Sequence, residues 1–109
     1  MNIIKVGGSI INPDGKYDSK VIKELMDIVK EVKEKFIFVI GGGKLCRKVQ
    51  DSSKPYLEEA LPKEEISIAR DWLGIATTKI NARYVLNRFK EQLAGEVHPE
   101  VILNFNKKI

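Results

Sequence analysis

A chain of 109 residues with 43% hydrophobic and 31% charged residues can build one core with a solvated shell, which excludes disordered and fibrous classes. Residues 1–109 are therefore expected to form a single domain. The net charge of +4 is modest, and lysines alternate with glutamates between Lys20 and Lys35 as on a solvated helix face. No aromatic residues interleave with a basic stripe, so no nucleic-acid partner is expected. The longest apolar runs are strand-sized, and Lys5 with the following glycines interrupts any signal-peptide layout, so no membrane partner is expected either. Cys46, the single cysteine, excludes an internal disulfide and points to a reducing, cytoplasmic compartment.

In chain order, Asn2–Val6 is a short apolar run stopped by Gly7 and Gly8, the pattern of a buried strand entering a glycine turn. Asn12, Pro13, Asp14 and Gly15 form a turn cluster. Asp18 is placed to cap a helix reaching about Lys35. Its stripe is Val21, Leu25, Ile28 and Val32, widened by Ile22 and Val29. Phe36–Ile40 is apolar at every position, as in a central parallel strand covered on both sides, and Gly41-Gly42-Gly43 closes it. A second helix is expected from about Lys44 to Gln50. The polar stretch from Asp51 to Pro62, carrying Pro55, then reads as loop with at most a short helical piece. A long helix is expected from about Glu64 to Glu91, with Ile68, Trp72, Ile75, Ala82, Val85, Leu86 and Phe89 on its apolar stripe. Val101-Ile102-Leu103 is a last strand candidate. This alternation predicts an α/β fold with a parallel sheet and right-handed crossovers.

Two glycine loops, Lys5-Val6-Gly7-Gly8-Ser9 and Gly41-Gly42-Gly43-Lys44, stand in equivalent places after predicted strands. Glycine lets backbone N–H groups approach an anion closely, and a helix starting just beyond adds free donors and a positive dipole end. Open α/β sheets bind ligands at strand carboxyl ends, so two such loops at one edge can hold facing phosphates. Either loop alone is equally a plain tight turn. The P-loop pattern is not met, because Phe38 stands at its first glycine and Leu45 at its Ser/Thr; no G-x-G-x-x-G occurs.

Lysine two residues before the first glycine, together with both loops in this order, resembles the amino-acid kinase family. The resemblance implies a three-layer αβα parallel-sheet fold, here truncated to its N-terminal, acceptor-side half. Lys5 through Gly8 matches the loop that holds the transferred phosphoryl group, and Gly41-Gly42-Gly43 matches the acceptor-side loop. Within the family, Gly42-Gly43-Lys44-Leu45 with Arg47 resembles the uridylate kinases, where an arginine at this spacing points at the phosphates. The segment Asp71-Trp72-Leu73-Gly74-Ile75-Ala76-Thr77, with Asn81 beyond, resembles their segment in which an aspartate binds the acceptor ribose.

The resemblance thus implies transfer of a phosphoryl group from ATP, with Mg2+, to UMP. Lys5 and Arg47 would be catalytic, while Gly7, Gly8, Ser9, Gly41, Gly42, Gly43 and Asp71 would bind phosphate or nucleotide. It also implies a homo-oligomer, with the long helix at a dimer interface, or a complementary chain carrying the C-terminal half with the ATP nucleoside site. Whether the chain is itself an enzyme stays open at this point. The alternatives are a non-catalytic phosphate-binding or oligomerisation domain, or a family kinase with another acceptor such as acetylglutamate, against which the Asp71 segment argues. Read without the resemblance, Lys5 is a strand-end lysine, and Arg47 and Asp71 are solvated helix residues. His98 before Pro99 reads as structural, and Cys46 as a packed side chain with no histidine nearby to activate it.

Overall fold

The computed structural model describes residues 2–32 and 34–92; the strand candidate Val101–Leu103 and His98 lie outside them. Strand β1 (Asn2–Val6) leads into a single helical turn, α1 (Gly8–Ile11), and then α2 (Ser19–Glu31). Strand β2 (Phe36–Ile40), α3 (Gly43–Ala60) and α4 (Lys63–Gln92) follow. β1 and β2 pair in parallel, with Asn2 opposite Phe36 and Val6 opposite Ile40. A parallel neighbour requires a crossover, and α2 is that crossover. Its start follows the sequence reading, since the Asp18 carboxylate accepts the Lys20 N–H at 3.0 Å.

The covered face of the strand pair carries Ile4, Val6, Phe38 and Ile40. Against it pack Ile22, Leu25, Met26 and Val29 of α2 and Tyr84, Val85 and Phe89 of α4, with Ile11 of α1 fully enclosed. Phe38 meets Phe89 edge-to-face at 5.6 Å, tying β2 to the last turns of α4. Each such buried aliphatic or aromatic side chain contributes about 1.5–3 kcal/mol through removal from water. The buried stripe of α2 differs from the expected one: Ile22 and Met26 are its centre, while Ile28 and Val32 are exposed. The helix is rotated toward α4 because the core it meets lies between the sheet and that helix.

Coverage on both faces is not what the described residues show. Ile3, Lys5, Ile37 and Val39 alternate out of the core and stay exposed, with Ile37 and Val39 at 40% and 43%. The parallel α/β character is present, but the described residues supply only one covering helical layer, so the third layer of the expected αβα arrangement is not formed among them.

Helix α3 runs further than the sequence pattern suggests. The expected loop from Asp51 onward is helical to Ala60, with Pro55 inside the helix. Proline removes one amide donor and crowds the carbonyl four residues back. That carbonyl belongs to Asp51, whose residue is exposed, so water can satisfy it. Packing of α3 along α4 outweighs the local propensity that pointed to a loop. Gln50 bridges the hairpin by donating Nε2–H to the Arg70 carbonyl at 2.9 Å. Gly74 lets the helices close there, since a Cβ on it would lie 3.3 Å from Cys46 Sγ and from Gln50 Nε2.

Candidate functional site

The two glycine loops meet at the carboxyl ends of the paired strands. Contact is backbone to backbone: a Cβ on Gly8 would sit 2.5 Å from the Gly41 carbonyl oxygen and 2.6 Å from the Gly43 nitrogen. Only glycine fits at that crossing, and Gly43 also needs its freedom because its φ is +56°. Ser9 ties the loops further, its Oγ accepting the Lys44 N–H at 3.2 Å in the first turn of α3. The Gly41 N–H is committed to the Val6 carbonyl at 3.0 Å, so Gly41 continues the ladder rather than offering a free amide.

From the second loop a cleft of about 600 Å³ opens between α3 and α4. Gly42, Gly43, Arg47, Asp71, Gly74 and Thr78 line it, together with Cys46 at its wall. Its volume lies in the range of small-molecule sites, roughly 300–1,000 Å³. A second hollow, of about 450 Å³, shares Gln50 and Asp71 with it and extends toward Lys63 along α4. The fold thus brings Gly42, Gly43, Arg47 and Asp71 to one cleft, with Gly8 and Ser9 packed against its glycine end. Lys5 stands apart from these lining residues, exposed on the uncovered face of β1, and Gly7 is exposed at the end of that strand.

Lys44 reaches Asp14 at 3.7 Å, but both side chains are largely exposed, so the pair contributes little to stability. Among the described residues no group of His, Cys, Asp and Glu side chains could hold a metal ion. Those residues form no dedicated protein cage for a metal ion. No helix among them is long and apolar enough to cross a membrane.

The residues that sequence reading did not weigh as site-builders are Thr77 and Asn81. Both are buried on α4, in line with Val85 at helical spacing. Asn81 is fully enclosed and donates Nδ2–H to the Gly41 carbonyl at 2.9 Å and the Gly42 carbonyl at 3.4 Å. Its Oδ1 accepts the Tyr17 hydroxyl at 2.9 Å. Polar side chains recurring at the buried positions of an otherwise apolar stripe were the available signal.

A parallel strand pair with contacting glycine loops and a cleft at its carboxyl edge is the arrangement at which open α/β sheets bind ligands. The chain belongs to the amino acid kinase family, whose model matches residues 1–94. It is similar to the uridylate kinase of Pyrococcus abyssi (strain GE5 / Orsay), with 27% identity over 106 residues, covering 94% of this chain and 41% of the relative. Uridylate kinases of Thermococcus gammatolerans and Methanococcus aeolicus are 28% and 25% identical, each match covering 96% of this chain and 42% and 47% of the relative. The chain therefore spans less than half the length of these relatives.

Proposed function

We propose that this chain is the acceptor-side part of a phosphotransferase of the uridylate-kinase type, taking UMP as acceptor and ATP as donor. The observation that carries it is the cleft that starts at the contacting glycine loops and contains both Arg47 and Asp71. The acceptor's phosphate would lie against the Gly42 and Gly43 amides with Arg47 beside it, and its ribose hydroxyls would be accepted by Asp71. Gly8 and Ser9 would hold the donor's terminal phosphate across from it. Lys5, two residues before the first loop, would neutralise the phosphoryl group in flight once its side chain is drawn over the strand end.

This chemistry asks little of acids and bases. The attacking group is a phosphate oxygen, mostly ionised at neutral pH because the second phosphate pKa is about 6. Alignment of two polyanions and neutralisation of the charge between them supply the rate. A magnesium ion, when ATP brings one, would shield those phosphates. The nucleoside site for ATP has no counterpart assigned in the described residues. The purified 109-residue chain is accordingly expected not to form UDP from ATP and UMP at the rate of a complete kinase. Addition of a complementary chain of the family's other half is expected to raise that rate.

Asp71→Ala tests the acceptor. It is expected to weaken UMP binding by roughly ten- to 150-fold, the effect of losing a charged hydrogen-bond acceptor, and to act less on a ligand without ribose hydroxyls. Calorimetry with UMP and with inorganic phosphate separates the two. Equal UMP affinity in a folded variant would return Asp71 to an ordinary solvated residue.

A second reading, an oligomerisation domain, is favoured by a different observation. Ile68, Trp72 and Ile75 follow one another at helical spacing on α4 and are exposed, Trp72 at 70%.

A further inference from the structure

Asn81 stands out as a fully buried carboxamide in the middle of a helix, where asparagine is a poor helix former and a buried amide is costly unless satisfied. Its surroundings fix which way it points. The carbonyls of Gly41 and Gly42 can only accept, so the NH2 end must face them. That leaves Oδ1 toward Tyr17, whose hydroxyl must donate. Tyr17 is held in turn by stacking on Tyr84, with ring centroids 3.9 Å apart and planes 14° from parallel.

The consequence follows from peptide planarity. In a trans peptide the C=O and the next N–H point in opposite directions, and the described chain has no cis peptide. Drawing the Gly41 and Gly42 carbonyls toward Asn81 therefore turns the N–H groups of Gly42 and Gly43 away from α4. Both glycines line the cleft. Without Asn81 the Gly42 carbonyl keeps its bond from the Cys46 N–H at 3.2 Å, but the Gly41 carbonyl loses its Asn81 partner, and the peptide carrying the Gly42 amide gains the backbone freedom that glycine allows.

We infer that Asn81, held by Tyr17, is a positioning residue that presets the Gly42 and Gly43 amides for an anion. The anion part rests on the function proposed above; the presetting of the loop does not. Neither side chain touches the ligand.

The test uses the full 109-residue chain, its Tyr17→Phe, Asn81→Asp and Tyr84→Phe variants, and inorganic phosphate as the probe. Tyr17→Phe keeps the ring stack and removes only the hydroxyl. Asn81→Asp keeps the shape and sets a carboxylate oxygen against the glycine carbonyls. Backbone 15N relaxation is expected to show greater mobility of Gly42 and Gly43 in Tyr17→Phe at temperatures where it is as folded as the wild type, and phosphate affinity to fall about fivefold, the loss of one hydrogen bond. Asn81→Asp should go further in both readouts. Tyr84→Phe, which keeps the ring for the stack and alters no atom of the Tyr17–Asn81 bonds, should change neither. Unaltered Gly42 and Gly43 mobility in a folded Tyr17→Phe variant would overturn the presetting, whatever phosphate does. No phosphate binding by the wild type, with the mobility change present, would overturn the anion role and the proposed phosphate site while leaving the clamp standing.

Discussion

At the scale of single residues, Gly8 leaves no room for a side chain. Its α-carbon lies so near the second loop that a methyl group would overlap backbone, which cannot swing aside as a side-chain tip can. Gly8→Ala is expected to lower stability by about 1–3 kcal/mol, the usual cost of overpacking, read as a drop in thermal midpoint. An unchanged midpoint would mean that the loops are not in contact. Gly7, its neighbour, meets nothing nearer than 3.8 Å from Ile10, so Gly7→Ala should be milder in the same measurement. Sequence could flag both glycines but could not rank them, because the distinction depends on a loop more than thirty positions away in the chain. As site candidates Asp71 and Arg47 rest on resemblance: on their own they are exposed charges on helices, as the structure also finds them. Asn81 was visible as part of a matching segment, yet its work depends on two glycine carbonyls and a tyrosine that no periodicity connects.

Among the elements, strands and the long helix were the easiest to read. β1 and β2 are short apolar runs ended by glycine, and α4 begins within a residue of its expected start. α3 was misread because Pro55 and the polar stretch around it carry the local signature of a loop, while the stabilising surface lies on α4. This makes a clear expectation for Pro55→Ala. Restoring the amide and relieving the crowded Asp51 carbonyl should stabilise the chain, by up to about 3 kcal/mol, the cost of an interior helical proline. Chemical denaturation of the variant would show it as a higher midpoint with an unchanged slope. The stripe of α4 divides by function. Its last turns carry Val85, Leu86 and Phe89 into the core, while Ile68, Trp72 and Ile75 remain outside. With 30 residues at 1.5 Å each, the helix is about 45 Å long and outruns the short sheet it covers. A second copy of this chain is the expected occupant of that outer stripe. Light scattering at tens of micromolar should show a dimer that Trp72→Glu dissociates, and a monomeric wild type would remove the expectation.

For the molecule as a whole, the sheet face that the described residues leave open is the surface most open to association. Ile3, Ile37 and Val39 lie side by side on it, interrupted by Lys5, a charge that discourages indiscriminate sheet-to-sheet association. The β-strand signal of Phe36–Ile40 was read correctly, but coverage on both sides was inferred from a run apolar on both faces, and an apolar face does not say what lies against it. The clamp on the second glycine loop has a further consequence, in the order of folding. It joins Tyr17 to Asn81 across 64 positions, and Asn81 to Gly41 across 40. Contacts this distant in the chain are reached late, after the local helices and the strand pairing they support. The glycine amides would then acquire their directions only as α4 docks, near the end of the climb to the native state. A hydroxyl deletion at Tyr17 should accordingly hasten unfolding and leave the refolding rate nearly untouched, so that the two arms of a denaturant chevron respond unequally.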